Sequence, residues 1–275
     1  MPWSERQAIL LRGMGLRLWT PVPAATPAPA TTAAPSPLAA PATSAARVRN
    51  ATEPSRPRPA ARADAPPAAV SSPAGGSDLA TLDWPALRQA VVDCRACGLW
   101  AGRKQTVFGV GHPQAHWMVV GEAPGEQEDL RGEPFVGAAG QLLDRMLAAL
   151  GLTRAEDGPQ PPEQRVYIAN TLKCRPPRNR NPAADEMARC EPYLVRQIEL
   201  LKPRLILAMG RFAVQALLRS DEPIGRLRGR VHSYQGVPLV VTYHPAYLLR
   251  NLPDKAKAWE DLCLAASVVA AAEVP

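Results

Sequence analysis

The sequence predicts an α/β protein: a three-layer α/β/α arrangement around a central four-stranded parallel sheet. From His116 onward, short apolar runs alternate with amphipathic stretches, the pattern of successive βαβ units. The runs are rich in Val, Ile and Leu and bounded by turn residues or charge, as expected of strands covered on both faces. Helical periodicity fills the intervals between them.

The first strand spans 116–121 (HWMVVG), and the helix after it spans 138–150, with Leu142, Leu143, Met146, Leu147 and Leu150 on one face. Gly151 ends that helix, as a glycine just past the last apolar position does. The second strand is 165–170 (RVYIAN), followed by a helix over 183–201 with Asp185 near its start. The third strand is 204–209 (RLILAM), and Gly210 leads into a helix over 211–219. The fourth strand is 237–242 (VPLVVT), and the last helix covers 254–272. No internal repeat is present.

The front of the chain has a different composition. No aromatic residue lies between Trp19 and Trp84, and 14 of the 31 prolines fall in residues 1–73, among Ala, Ser and Thr. Such a stretch buries too little apolar surface to offset about 1–2 kcal/mol of backbone entropy per ordered residue. Residues 21–77 are therefore expected to be a disordered linker, with a single domain over 78–275. No apolar run nears the roughly 18 residues that span a bilayer. Glu5, Arg6 and Arg12 also interrupt any secretory pattern, so a cytoplasmic protein without a membrane partner is expected. The formal charge of +7 and pI near 9.5 suit a polyanionic partner, since clustered cations release counterions from a phosphate backbone.

In an open parallel sheet the loops leaving the carboxyl ends of the strands meet at one crevice. Here those loops are GEAPGEQED, NTLKCRPPRNRNP, GRF and YHPAYLLRN. They would bring acids, an asparagine, a histidine and several arginines into one cleft, and Gly210 and Arg211 open a helix whose N–H groups could hold a phosphate. Four of the five cysteines, Cys94 and Cys97 in CRAC, Cys174 in LKCRPP and Cys190 in ARCEPYL, form a soft-ligand set for a tetrahedral metal or an iron–sulfur cluster. Their spacing alone leaves zinc open. Cys263 reads as a small core residue on an apolar helix face.

GEAPGEQED, GEPFVGAAGQLLDRML, VYIANTLKCRPPRNRNP and YHPAYLLRN, with the CRAC pair, resemble the family 4, iron–sulfur uracil-DNA glycosylases over about 80–270. The resemblance implies their fold and hydrolytic release of uracil from DNA in base excision repair. It implies a [4Fe–4S] cluster on Cys94, Cys97, Cys174 and Cys190. Phe135 is then the stacking platform, Asn170 the reader of uracil N3 and O4, and His244 the donor to O2 as charge builds on the leaving base. Glu122 and Glu128 are candidates for orienting water or stabilising the sugar cation. Glu128 is also placed to crowd C5 and exclude thymine. Ala123 stands where the best-known glycosylase branch carries a water-activating Asp; a small residue there agrees with family 4. Asn179 resembles a position near the water or a phosphate. Arg175, Arg178 and Arg180 suit the DNA backbone, and Leu248 or Leu249 could wedge into the gap left by the base.

Residues 3–20, WSERQAILLRGMGLRLWT, set Ile9, Leu10, Leu11, Met14, Leu16, Leu18 and Trp19 around a Gly-Met-Gly break. They resemble the N-terminal peptide of the clamp-loader psi subunit, which implies docking on a replisome partner; packing on the chain's own domain is the alternative. The chain is expected to be a monomer acting on uracil-containing DNA. A non-catalytic psi-like replisome component and a glycosylase for another damaged base are the competing readings.

Overall fold

The computed structural model describes residues 79–271, so the 3–20 segment and the linker lie outside the described residues. The strands are β1 (Val110–Gly111), β2 (Trp117–Gly121), β3 (Val166–Asn170), β4 (Leu205–Met209), β5 (Val231–Tyr234) and β6 (Val237–Thr242). They form one sheet in the order β1-β3-β2-β4-β6-β5. The four expected strands are the inner four and run parallel. The expectation of a four-stranded parallel sheet is corrected at both edges, where β1 pairs antiparallel with β3 and β5 antiparallel with β6. β1 is two residues long and β5 is half exposed along its length, so neither carries a continuous apolar run. Gln235 and Gly236, both at positive φ, make the tight turn that folds β5 against β6.

The helices are α1 (Trp84–Asp93), α2 (Glu126–Arg131), α3 (Ala138–Ala149), α4 (Ala184–Leu201), α5 (Arg211–Leu218), α6 (Ile224–Leu227), α7 (Pro245–Leu248) and α8 (Asp254–Ala271). The strand period of two divides the core. Trp117, Val119, Ile168, Leu207 and Val240 face α3 and α8. Met118, Val120, Ala169, Ile206 and Val241 face α4 and α5 on the other side. This is the three-layer sandwich.

Register then aligns the strand ends. Gly121 pairs with Asn170, Val120 with Ala208, and Met209 with Thr242, so the four following loops leave the sheet at one level. Cys263 is corrected: it is exposed on α8. Leu264, Ala266 and Val268 are half-buried beside it, so the apolar residues of α8 wrap far around the helix and do not mark one face.

Candidate active site

The four loops line a cleft with about 1710 Å³ of atom-free space, part of it open solvent. Glu122, Ala123, Phe135, Asn170, Asn179, Arg211, His244 and Arg250 are among its walls. The site begins at Gly121, the last residue of β2. A Cβ there would stand 2.5 Å from Asn170 Oδ1 and 2.6 Å from Phe135 Cζ, so glycine is what lets the amide and the ring approach each other. A strand-ending glycine otherwise reads as a turn, and no neighbouring letter marks this contact.

The acids of the first loop divide into separate tasks. Glu126 pairs with Arg175 at 3.5 Å. Buried Asp129 accepts from the Lys104 amide at 2.9 Å. Glu128 accepts through Oε2 from Gly125 N, and through Oε1 from Val136 N and Gly137 N, all at 3.1 Å. Its carboxylate thus ties the first loop to the Phe135 loop, which separates it from Glu122 as a candidate for handling water. Glu122 is half-buried against the cleft, and burial raises its pKa while the charge of Arg211 opposes the rise.

Phe135 is buried and holds φ at +55°, a left-handed conformation costing about 1–3 kcal/mol for a residue with a side chain. Its ring lies 5.4 Å from that of His244, tilted by 32°. Asn170 is only 2% exposed, and its Oδ1 has no hydrogen-bond partner among the described residues. A buried amide oxygen left this way loses about 1–3 kcal/mol, a cost that a ligand donor would remove.

His244 caps α7, with Nδ1 accepting from Ala246 N at 3.2 Å. An acceptor Nδ1 puts the proton of the neutral ring on Nε2. Burial, reinforced by Arg250 and opposed by Glu128, pushes its pKa down to about 4, so the ring is neutral at physiological pH.

The basic loop is less free than its letters suggest. Arg180 is held by Glu186 through two contacts at 2.9 and 2.6 Å, and Arg175 donates to Asn179 Oδ1 at 2.7 Å as well as pairing with Glu126. Arg178, at φ +55°, makes no ion pair among the described residues. Leu248, the last residue of α7, is fully buried in the core and cannot reach out of the domain, whereas Leu249 is 42% exposed. Arg250, which the sequence reading passed over, lines the cleft beside it.

Cys94, Cys97, Cys174 and Cys190 line a second, smaller cavity with about 300 Å³ of atom-free space, walled by Leu99, Trp100 and Leu172. Arg103 Nη1 reaches Cys174 Sγ at 3.2 Å, and the Lys173 amide reaches Cys190 Sγ at 3.3 Å. Burial raises the thiol pKa values of Cys97 and Cys174 and pushes Cys190 up to about 12. Among the described residues no three His, Cys, Asp or Glu side chains converge closely enough to hold a single metal ion. Four sulfurs spread around one cavity, with Arg103, Lys173 and Arg189 adding positive charge, fit a larger anionic group with several soft-ligand positions.

At the ends of the parallel strands the Phe135 ring, the unpartnered Asn170 amide oxygen and the neutral His244 imidazole share one cleft. Residues 108–263 match the uracil DNA glycosylase superfamily, and the chain belongs to that family. It is 44% identical over 167 residues to a type-4 uracil-DNA glycosylase of Archaeoglobus fulgidus, covering 58% of this chain and 79% of that protein. It is 41% identical over 193 residues to a type-4 uracil-DNA glycosylase of Pyrobaculum aerophilum, covering 66% and 93%. A type-5 uracil-DNA glycosylase of the same organism is 33% identical over 174 residues, covering 60% and 76%.

Proposed function

We propose that this chain hydrolyses the N-glycosidic bond of deoxyuridine in DNA, releasing uracil and leaving an abasic site for base excision repair. The observation that carries the reading is the common cleft of Phe135, Asn170 and His244, with the Asn170 amide oxygen buried and unpartnered. An extruded uracil stacks on Phe135. The Asn170 amide accepts from N3–H and donates to O4; cytosine reverses that pattern and leaves the buried amide mispaired.

As the glycosidic bond breaks, negative charge collects on the base and positive charge on the sugar. His244 Nε2–H is aimed at O2, and a neutral donor suffices because the hydrogen bond strengthens as the oxygen becomes anionic. Glu122, half-buried on the cleft wall, faces the cationic sugar and orients water toward C1′. Ala123 leaves room for that water. Glu128 acts by holding the Phe135 loop. Arg178, Arg211 and Arg250 take DNA phosphates, and Leu249 fills the gap left by the base.

Cys94, Cys97, Cys174 and Cys190 would hold a [4Fe–4S] cluster, which when bound supplies a cross-link among the chain segments and no step in base hydrolysis. Cys174 follows Asn170 by four residues, so the cross-link steadies the base-reading strand end. Residues 78–275 are proposed as the catalytic domain, 21–77 as a tether, and 3–20 as a segment that docks on a replisome or clamp-loader subunit.

The test is incubation of the purified chain with oligonucleotides containing uracil, mismatched thymine or hypoxanthine, followed by alkaline cleavage, with Asn170→Ala and His244→Ala in parallel. Cleavage at uracil alone, lost in both variants, is expected. Cleavage only at another base, or none at all, overturns the reading.

A further inference from the structure

Phe135 is held by more than its own packing. Arg154, on the segment after α3, donates from Nη1 to the Pro134 carbonyl at 2.8 Å and from Nη2 to the Phe135 carbonyl at 2.9 Å. Asp144 on α3 fixes the other edge of the guanidinium at 3.1 Å, and Glu133 lies 3.9 Å away. The Arg154 side chain is only 17% exposed, so these contacts are largely shielded from water.

The geometry asks for such a brace. Phe135 sits in a left-handed conformation that side chains rarely adopt, directly before two amides gripped by Glu128. Gly140 lets α3 pass so close that a Cβ there would overlap the Phe135 carbonyl. Relaxing Phe135 to ordinary φ would swing its ring away from Gly121 and His244, the groups it now faces. The planar guanidinium fork matches two successive carbonyls, whereas an ammonium offers a single point of charge.

We propose that Arg154 is a positioning residue for the base pocket: by bridging the Pro134 and Phe135 carbonyls it locks the bend that presents the Phe135 ring to an extruded base. Arg154 acts through the backbone of the Phe135 loop and is not part of the cleft lining. The inference rests on reading Phe135 as the stacking platform.

The test compares the full chain with Arg154→Ala and Arg154→Lys. It measures excision of uracil from an oligonucleotide, inhibition by free uracil, melting temperature, and recovery of activity on adding guanidinium or methylammonium. In Arg154→Ala, kcat/KM should fall about 10–100-fold, the range for slight misplacement of a substrate-binding group. Inhibition by free uracil should weaken in step. Guanidinium, but not methylammonium, should restore part of both. Arg154→Lys keeps the charge opposite Asp144 and should fold, yet show most of the loss.

Full activity in both variants overturns the proposal, as does a loss that tracks melting temperature without weaker uracil inhibition. Should Arg154→Ala fail to fold, an Arg154→Lys enzyme with unchanged uracil inhibition overturns it. A wild-type chain inactive on uracil would instead remove the functional reading beneath it.

Discussion

The two cavities beyond the end of β3 are built on opposite rules. The cleft leaves Asn170 Oδ1 unpartnered, holds Phe135 and Asn179 at positive φ, and keeps Glu122 on its wall above its ordinary pKa. The cysteine cavity is walled by apolar and basic side chains, and the base at its edge is fully satisfied: Lys173, buried, donates to the Asn170 carbonyl at 2.8 Å and to Gln197 at 2.6 Å. Gln197 in turn donates to the Phe108 carbonyl and the Tyr167 hydroxyl. Local cost gathers in the cleft, and local satisfaction gathers beside it, at the end of the same strand.

That contrast predicts separable failures. The largest effect on catalysis is expected from Asn170→Ala and His244→Ala. Each should lower kcat about 10²–10³-fold, the loss typical of a removed transition-state donor, and Asn170→Ala should do so with little change in melting temperature. A parallel collapse of stability would erase the distinction between the two cavities. Cys190→Ser should do the reverse. It is expected to abolish the visible charge-transfer band of sulfur-ligated iron and to destabilise the chain by more than about 4 kcal/mol, on the order of 10 °C in melting temperature. Absorbance spectra and thermal melts check this, and zinc in place of iron on elemental analysis would contradict it.

Gly121→Ala should cost about 10–100-fold in kcat/KM, because its methyl group would press on Asn170 Oδ1 and Phe135 together. Raised by burial, Glu122 should make the acid limb of the pH–rate profile begin above the ordinary carboxylate range, and Glu122→Gln should flatten that limb. His244, lowered from 6.5 to about 4 on folding, adds stability above pH 6.5 that is lost progressively as pH falls toward 4. Melting curves of wild type and His244→Ala across that window separate this contribution from that of Glu122. The smallest effect belongs to Arg178→Ala, which should leave single-turnover excision intact and reduce the salt dependence of DNA binding by about one counterion.

The inner strands were legible because burial on both faces writes them as unbroken apolar runs. The edge strands were not, since β1 has two residues and β5 only a half-buried face. Motif resemblance singles out Phe135, Asn170 and His244, and their order along the chain is compatible with one cleft. Their shared cavity depends on strand register, which no single segment encodes. Leu248 and Leu249 are indistinguishable as letters, and the phase of a one-turn helix sends one into the core and the other outward. Likewise Arg180 reads as a free cation until Glu186, six residues on, is seen to pair with it. Gly121 and Arg154 act through tertiary approach, so their roles became visible only with the fold.

Gly121 and Asn170 are direct partners across β2 and β3. A slip of one residue between these strands would bring Ala169 to that place and turn the amide to the far side of the sheet. The place of that amide in the cleft is thus inherited from the zippering of two core strands.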